Sequence, residues 1–520
     1  MKRLLALLLA AALMVTCLAA CGNNGGGKQE GSGSAASSDA MGVLRYGLTD
    51  EPDGLFLPYG TYNLVNGVVG LAITDTLVSY NSETDTIEPA IATSWEMPDR
   101  QTVIFHLRDD VVSSAGTPFT AKDVLYVLST GVANPSLASY YSLIDLENCK
   151  ADDDYTVTIK LVSDYATILS LFTYSCYGMF CEADVEAAGG PDSFAKNPVG
   201  LGMYKLDKWN AGENLILSRN DSYYGEKAPF DTVEVYFVPD VTSRVLSLQS
   251  GDLDVAISLS VTDIDSVEGD SDLSVLFSDA HSNEILWYNN AHPILQDIRV
   301  RQALSYSINR QDVLNKAFSG VGVLSDSILP ASSSNYSGPQ NEDMAYNENI
   351  DKAKQLLAEA GYPDGFDLSI DVLQYQYLRD EAAALQDCFS RIGVNLTINS
   401  MDTGAFFGAI YSGNFDTYVI TSSGIDDYNQ VRFFDPTQIP ATGNMISYSN
   451  QAMLPLLNNA KSAASDEELK AAMKEVQDLI REDCAVMPLV SSPTVNGIRA
   501  DLDARWSPMG DLLINSIKRK

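Results

Sequence analysis

The chain has 520 residues, 45% of them hydrophobic, and its 69 acidic residues against 33 lysines and arginines give a formal net charge of −36. This length allows several domains or lobes, each with an apolar core of its own. A chain this acidic is repelled by phosphate backbones, which excludes nucleic acid as a partner.

The N-terminus has the layout of a secretory signal. Lys2 and Arg3 precede an apolar run over residues 4–16, and small residues precede Cys21. The ending Leu18-Ala19-Ala20-Cys21 resembles the bacterial lipoprotein box, which implies removal of residues 1–20 and a diacyl anchor on Cys21. An uncleaved membrane helix is the alternative, although the run is at the lower length limit for a span.

Residues 21–42 are rich in Gly, Ser, Asn and Ala, with almost nothing to bury. Such a segment behaves as flexible coil, and about 20 residues reach ~25 Å from the membrane. No later apolar run approaches about 20 residues, so no other membrane span is predicted.

Strand and helix patterns then alternate without a fixed-period repeat. Period-two alternation predicts strands at 102–107, 155–161, 215–217 and 233–238. Caps and apolar stripes predict helices after Thr120 (a capping box with Asp123), after Asp297, over 353–360 and after Ser465. We interpret these stripes as core faces rather than binding sites.

Cysteine and histidine are scarce. Cys176 and Cys181 are close enough in sequence for a local disulfide, and buried free thiols are the alternative, which also covers Cys149, Cys388 and Cys484. The only histidines are His106, His281 and His292, and no pair has metal-motif spacing. No metal site and no cofactor is predicted.

Four blocks carry a family resemblance by their shared order. They are 87–95 (IEPAIATSW) with 105–108 (FHLR) and 116–124 (GTPFTAKDV); 197–200 (NPVG) through 219–220 (RN), 223–224 (YY) and 250–254 (SGDLD); 297–304 (DIRVRQAL) with 308–310 (INR); and 353–363 (AKQLLAEAGYP). Together they resemble the family 5 extracellular solute-binding proteins, which serve ABC importers for peptides, dipeptides, nickel complexes and some sugars. The resemblance covers about residues 43–520.

The resemblance implies an α/β, two-lobed periplasmic-binding-protein-like fold (type II, cluster C-like) with an extra domain in the N-terminal lobe. Lobe 1 is expected over 43–70, 196–285 and 486–520, its inserted domain over 71–195, and lobe 2 over 286–485. The chain would cross between lobes near 287–290 and 487–490, and two short crossings make a hinge. We expect Arg299 and Arg301 to pair with carboxylates across the lobe boundary, with ligand contact as the alternative.

The resemblance also implies a binding residue. Peptide-binding members use an aspartate in a Trp-x-x-Asp-Tyr stretch to hold the peptide α-ammonium, and residues 423–429 (SGIDDYN) match that stretch. Asp427 and Tyr428 fit the Asp-Tyr pair best, and Asp426 is the adjacent candidate. Gly424 or a neighbouring serine stands where the tryptophan is expected. An acidic surface turn is the alternative.

Four further residues complete the predicted site. Trp287, Tyr288 and Asn283 could line the cleft, and the alternative for these aromatics is a place in the core. Arg432, close to Asp427 in sequence, is predicted to meet a ligand carboxylate.

These features predict a membrane-tethered, monomeric substrate-binding protein outside the cell membrane or in the periplasm. It would capture a peptide or other small solute by cleft closure and deliver it to ABC permease subunits. A receptor for nickel complexes or oligosaccharides is the alternative ligand class. Ser193-x-x-Lys196 matches penicillin-recognising serine enzymes, but no Lys-Thr-Gly or Lys-Ser-Gly occurs, so we predict no enzyme activity.

Overall fold

The computed structural model describes residues 42–61, 63–278, 282–424, 426–440, 443–507 and 509–520. The predicted signal, Cys21 and the rest of the tether up to residue 41 lie outside the described residues. Within the described ranges, none of the helices is both long enough and apolar enough to cross a membrane.

The described strands are β1 Val43–Leu48, β2 Val78–Asn81, β3 Thr86–Pro89, β4 Ala92–Asp99, β5 Thr102–Leu107, β6 Lys150–Ala151, β7 Thr156–Lys160, β8 Tyr204–Asn210, β9 Asn214–Arg219, β10 Thr232–Phe237, β11 Val255–Leu259, β12 Leu273–Phe277, β13 Ser282–Tyr288, β14 Val323–Leu324, β15 Asp367–Leu373, β16 Asn395–Met401, β17 Thr417–Ser423, β18 Val486–Ser491, β19 Val495–Arg499, β20 Leu502–Asp503 and β21 Lys518–Arg519. The described α-helices are α1 Leu64–Ile73, α2 Ala121–Ala133, α3 Ala138–Tyr141, α4 Ile168–Leu171, α5 Glu182–Ala187, α6 Pro191–Phe194, α7 Val241–Ser250, α8 Ile264–Glu268, α9 Ile298–Ser307, α10 Arg310–Phe318, α11 Ile350–Glu359, α12 Gln376–Ser390, α13 Thr403–Ser412, α14 Asp427–Val431, α15 Met453–Ser462 and α16 Asp466–Glu482.

Seven of the described strands form a first sheet in the order β12-β19-β11-β1-β10-β9-β8. β1 is parallel to both neighbours, β10 and β11, and the other pairs are antiparallel. Leu44 and Tyr46 of β1 pack with Val233 and Val235 of β10 in one core, because alternate side chains of a strand share a face. The strands predicted at 215–217 and 233–238 are confirmed as β9 and β10.

Six described strands form a second sheet in the order β14-β18-β13-β17-β15-β16. All seven residues of its central strand β13 are buried. A strand covered on both faces carries no alternation of polar and apolar residues. The helices predicted after Asp297, over 353–360 and after Ser465 are confirmed as α9, α11 and α16, and Asp297 and Ser465 are N-caps.

A third domain lies between α1 and β8 and contains a four-stranded sheet in the order β4-β5-β7-β6. The strands predicted at 102–107 and 155–161 are confirmed as β5 and β7. The Thr120–Asp123 capping box is also confirmed, and the apolar stripe of α2 that follows it is buried.

The chain leaves the first sheet at Phe277 and enters the second at Ser282, and it returns from Ser491 to Val495. The two crossings are hydrogen-bonded side by side: Thr494 N donates to Ser278 Oγ over 3.1 Å, and Ser491 Oγ donates to the Ser282 carbonyl over 2.6 Å. The crossings expected near 287–290 and 487–490 were wrong, because 487–490 lies within β18 and β13 runs on to Tyr288. β13 is buried on both faces, polar residues included, so its sequence has no alternation that marks where the sheet begins.

The predicted pairing of Arg299 and Arg301 across the lobe boundary is also wrong. The Arg299 guanidinium bonds Asp297, with Nη2 and Oδ2 2.6 Å apart. Arg301 donates to the carbonyl oxygens of Leu295, Asp483 and Cys484 over 2.6–2.9 Å. Both arginines therefore form hydrogen bonds within their own domain, the one that contains the second sheet.

Two buried glutamates, Glu284 of β13 and Glu381 of α12, are neighbours in the second-sheet domain. Glu284 of β13 accepts a hydrogen bond from Thr421 Oγ1 over 2.7 Å. Its Oε2, and both carboxylate oxygens of the fully buried Glu381 of α12, have no hydrogen-bond partner among the described residues. Burial raises the pKa of Glu284 from its usual 4.5 to about 7. Burial and the neighbouring Glu284 charge raise the pKa of Glu381 well above its usual value.

We expect these glutamates to make the fold less stable as pH rises from about 5 to 7.5. The unfolded chain releases both protons near pH 4.5, whereas the folded chain retains them, so stability present at low pH is lost on the way to neutrality. The slope is ~1.4 kcal/mol per pH unit for each retained proton. Glu381→Gln removes one such proton. The free energy of unfolding of this variant, measured by urea unfolding, should therefore fall less steeply with rising pH than that of the wild type, by about that amount per pH unit.

Glu475→Gln is the matched control, because Glu475 is exposed on α16 and its replacement should leave the slope unchanged. Parallel pH profiles for the wild type and Glu381→Gln would show that Glu381 keeps no proton in the folded chain.

Candidate functional site

A cavity of about 460 Å³ lies between the first and second sheets, at the two crossings. Its described lining residues are Tyr80, Ser82, Asp85, Ser278, Gly322, Val323, Ala331, Ser332, Ser491, Pro493, Trp506, Ser507 and Gly510. They come from the β2–β3 hairpin, both crossings, the second-sheet domain and the C-terminal segment. A cavity lined by both lobes changes shape when the lobes move, as expected of a binding site that is formed by lobe closure.

The β2–β3 hairpin forms one wall. Tyr80 Oη donates to Asp85 Oδ1 over 3.0 Å. Asp85 has a φ of 52°, in the left-handed region that Asp and Asn tolerate better than most residues. Trp506 N donates to Ser82 Oγ over 3.3 Å, which ties the C-terminal segment to this hairpin.

Asp427 lies behind the opposite wall, as the first residue of α14. Ser333 Oγ and Asn335 Nδ2 donate to its Oδ2 over 2.7 and 2.8 Å, and Ser333 directly follows the lining residue Ser332. Asp427 is 4% exposed, so the alternative of an acidic surface turn does not hold. Burial, opposed by these two hydrogen bonds and assisted by the charges of Asp426 and Asp85, raises the pKa of Asp427 to about 6.

Asp426 joins two domains instead. Thr167 Oγ1 donates to its Oδ1 over 2.7 Å, and Tyr165 Oη donates to its Oδ2 in a short bond. Both hydroxyls come from the segment between β7 and α4 in the third domain, whereas Asp426 follows β17 of the second sheet. Asp426 is fully buried, and this burial raises its pKa although the two hydroxyls lower it.

The aromatic contacts of this junction continue through Tyr428. The ring of Tyr428 packs edge-on against Tyr165 with centroids 5.3 Å apart, and the Lys461 ammonium lies 5.3 Å from its centroid. Many buried side chains of the third domain and of the second-sheet domain belong to one hydrophobic cluster.

Gly424 explains the missing tryptophan. Its φ is +128°, and a Cβ there would lie 2.9 Å from Tyr174 Oη and 3.5 Å from Met509 Sδ. A side chain at this position would be strained and would meet both groups. Tyr174 and Met509 therefore fill space next to the turn that a larger residue 424 would need.

The structure supports the core alternative for Trp287, Tyr288 and Asn283, because all three are buried within the second-sheet domain. Trp287 stacks on Tyr418 at 5.7 Å, and Asn283 Nδ2 donates to the Ser327 carbonyl over 3.0 Å. In a strand that is buried on both faces, even the polar side chains point into the core. The sequence alone could not tell such core residues from residues that line a cleft.

Arg432 is not among the described lining residues of the cavity. Its Nε donates to Asn429 Oδ1, and its guanidinium lies 4.9 Å from the Phe433 ring centroid. Sequence reasoning missed the residues that shape the site from elsewhere: Tyr80, Asp85, Tyr165, Thr167, Ser333 and Trp506. None of them belongs to a motif identified in the sequence.

The described residues also include free thiols and a second groove. Cys149, Cys176, Cys181, Cys388 and Cys484 are free thiols, so the alternative without a Cys176–Cys181 disulfide holds. In the described part of the chain, no group of three or more His, Cys, Asp or Glu side chains could hold a metal ion. A more open groove of about 570 Å³ on the second sheet is walled by that domain alone, so lobe movement leaves it unchanged.

Two α/β lobes with a cavity at a double crossing define a solute-binding class of protein. A family model described as bacterial extracellular solute-binding proteins, family 5 Middle, matches residues 86–443. The chain belongs to this family of extracytoplasmic ABC transporter components, and the predicted family and fold class are confirmed.

Named relatives bind different solutes. The chain is 25% identical over 446 residues to heme-binding protein A of Haemophilus influenzae, covering 80% of this chain and 81% of the relative. It is 23% identical over 509 residues to the dipeptide-binding protein of Escherichia coli K12, covering 90% and 93%. The solved periplasmic binding protein DppA from Helicobacter pylori, in complex with the peptide STSA, is 25% identical with a TM-score of 0.78, covering 92% and 98%.

We expect Tyr165→Phe to loosen the contact between the third domain and the second-sheet domain. It removes a buried hydrogen bond to a carboxylate, worth ~1.5–3 kcal/mol, which shifts a two-state balance by roughly tenfold or more. Small-angle X-ray scattering of the solute-free protein should then show a larger mean radius of gyration than the wild type.

Tyr59→Phe provides the control for this measurement. It removes a Tyr–Asp hydrogen bond of 2.6 Å to Asp192 that does not involve the second-sheet domain. An unchanged radius for Tyr165→Phe would mean that the Tyr165–Asp426 bond does not hold the lobes together.

Proposed function

We propose that this protein is the membrane-tethered substrate-binding component of an ABC importer, which captures peptides by closure of its lobes and delivers them to a permease. The observation that carries the proposal is a cavity walled by both lobes, with the Asp427 carboxylate buried behind one wall. The peptide-bound relative of the same fold and the dipeptide-binding relative support the ligand class.

In this proposal, Asp427 receives the α-ammonium of the peptide. Ser333 and Asn335 both donate to Oδ2, so they hold the carboxylate in a fixed orientation. A charge-assisted hydrogen bond in a buried site contributes ~1.5–3 kcal/mol. Hydrogen bonds to the peptide main chain then give affinity that tolerates different side chains.

Closure would use the paired crossings as its hinge. Only two short segments join the sheets, one between Phe277 and Ser282 and one between Ser491 and Val495, so the lobes can move as rigid bodies. A shift from mostly open to mostly closed requires ~5.5 kcal/mol of differential binding, which the termini and main chain of a peptide supply. The permease would recognise the closed surface.

The tether belongs to the same proposal. Cys21 carries the lipid anchor, residues 22–42 act as a flexible spacer, and the body works as a monomer outside the cell membrane. A diacyl group attaches stably where a single chain holds only marginally. Mass spectrometry of the membrane-extracted protein tests this directly, since the anchor requires a diacylglyceryl mass on Cys21.

The proposal assigns binding without catalysis. Native mass spectrometry of protein purified without refolding tests it by weighing the co-purified solute. An intact peptide is the expected result. A tightly held solute of another class, such as heme or a nickel complex, would overturn the peptide assignment.

We expect peptide affinity to fall as pH falls from 7.5 to 5. An ammonium requires ionised Asp427, whose pKa of about 6 leaves it mostly protonated at pH 5, so the affinity for alanyl-lysine should drop roughly tenfold. Asp427→Asn should cost roughly 10- to 100-fold at pH 7.5 and remove this pH dependence, as measured by isothermal titration calorimetry.

Asp402→Asn serves as the control, because Asp402 caps α13 in the same domain and asparagine caps a helix equally well. N-acetyl-alanyl-lysine, which lacks the α-ammonium, should bind weakly to the wild type and to Asp427→Asn. Equal affinity of the wild type for acetylated and free peptide would overturn the role of Asp427.

A further inference from the structure

A second groove, of about 570 Å³, lies on the second-sheet domain. It is bounded by β15, β16 and α13 and by the segments at 289–293 and 413–416. The groove reaches Asp416, which directly precedes β17, whereas Asp426 of the interlobe turn follows the other end of that strand. A strand of seven residues is roughly 20 Å long, so this groove is separate from the interlobe cavity.

Asp371 of β15 lines the groove and is only 4% exposed. Asn399 Nδ2 of β16 donates to its Oδ1 over 2.9 Å. Its Oδ2 accepts no hydrogen bond from any described residue and is not sealed from solvent. Burial raises the pKa of Asp371, the Asn399 bond lowers it, and the charge of Asp416 raises it again. A carboxylate this deeply buried with one hydrogen bond costs stability unless a donor reaches its second oxygen.

A matched pair on the same two strands shows what sets Asp371 apart. Asn395 Nδ2 donates to Asp367 Oδ1 over 3.0 Å, with the same residue types in the same parallel register. Asp367 and Asn395 are exposed and lie outside the described lining of the groove. The pairing itself therefore does not need burial. The walls of the groove cover Asp371 alone, and a carboxylate interacts more strongly with a cation in such an environment than at an open surface.

Asp416 adds a second carboxylate to the groove. Ser369 N and Oγ donate to its Oδ2 over 2.9 and 2.7 Å, and His292 Nε2 lies 3.3 Å from its Oδ1. The Ile294 N–H donates to His292 Nδ1 over 3.3 Å, so the ring hydrogen is on Nε2 and the imidazole is uncharged. His292 therefore orients Asp416 without cancelling its charge.

The rest of the groove suits a hydrocarbon chain. Ala405 and Ala409, one turn apart on α13, leave room because their side chains are small, and Met401 and Phe415 add apolar surface. Within the described lining, no residue is Lys or Arg. Asn399 uses its Nδ2 for the buried carboxylate, and no described residue donates to its Oδ1, so this oxygen is a second acceptor beside that carboxylate.

We propose that this groove is a second binding site, for a primary alkylammonium ion that donates to Asp371 Oδ2 and Asn399 Oδ1 and lays its hydrocarbon chain against α13. The ammonium has three N–H donors, which two acceptors and water satisfy. Hydrogen bonds of this charge-assisted kind are roughly twice as strong as those between neutral groups. A small amine and a lysine side chain of another protein present the same group. The site goes beyond the proposed function, since it is independent of the solute between the lobes.

Methyl NMR of the intact protein, labelled with ¹³C at the methionine methyl groups, tests this with n-pentylamine. Met401 lines the groove, and Met509 lies beside Gly424 near the interlobe cavity, so each site has its own signal. Met401→Leu and Met509→Leu assign the two signals. At pH 7.5 and low salt, pentylamine should shift the Met401 signal saturably and leave the Met509 signal unchanged. n-Pentanol, which has the same chain without the charge, should bind roughly tenfold more weakly.

Asp371→Asn should weaken pentylamine binding by roughly tenfold or more, because it removes the charge and keeps an oxygen that accepts from Asn399. Asp367→Asn is the matched control. It removes one charge from the same strand and keeps an oxygen that accepts from Asn395, so binding should be unchanged. An unchanged Met509 signal verifies that Asp371→Asn is folded.

N-acetyl-lysine methylamide distinguishes the two sources of the ammonium. Binding as tight as that of pentylamine assigns the groove to lysine side chains, and weaker binding assigns it to a free amine. The inference fails if pentanol binds as tightly as pentylamine, if Asp371→Asn matches Asp367→Asn, or if no probe shifts the Met401 signal. Where Asp371→Asn does not fold, the comparison of amine and alcohol on the wild type decides. Failure here leaves the proposed function intact, since the Met509 signal reports the interlobe site separately.

Discussion

One buried carboxylate forms hydrogen bonds across two domains of this protein. Asp426, which follows β17, accepts them from Tyr165 and Thr167 of the third domain. The next residue, Asp427, lies behind the cavity wall and is oriented by Ser333 and Asn335. In the proposed function Asp427 receives the solute while its neighbour Asp426 contacts the opposing domain, so movement at either contact would displace the other. Closure and binding would thereby be coupled through the start of α14.

The burial of these acids costs stability in a chain of net charge −36. Burial raises the pKa of Asp426, Asp427, Glu284 and Asp511, so for each of them the fold disfavours the charged form. A packing role alone would be filled better by apolar side chains. Carboxylates with raised pKa values concentrate at functional sites, and two of these four are the consecutive residues of the interlobe turn.

The sequence predicted what local physics determines. Periodicity located β5, β7, β9 and β10, and side-chain caps located α2, α9 and α16, since each depends on neighbours within a few residues. It did not place the crossings, because β13 is buried on both faces and shows no alternation, nor did it separate the roles of Asp426 and Asp427. Tyr165 is 261 residues from Asp426, and no pattern in either segment indicates that they meet.

The glycine at 424 leaves the turn before Asp427 without a side chain. Its φ of +128° and the adjacent Tyr174 hydroxyl leave no room for the stacking side chain that the motif would place beside Asp427. The aromatic faces of the described cavity lining come instead from Tyr80 of the β2–β3 hairpin and Trp506 of the C-terminal segment. In the proposed function, the body of the solute would therefore be recognised from the side opposite Asp427. Substitutions at Tyr80 or Trp506 would then alter selectivity and leave the Asp426 contact with the third domain unchanged.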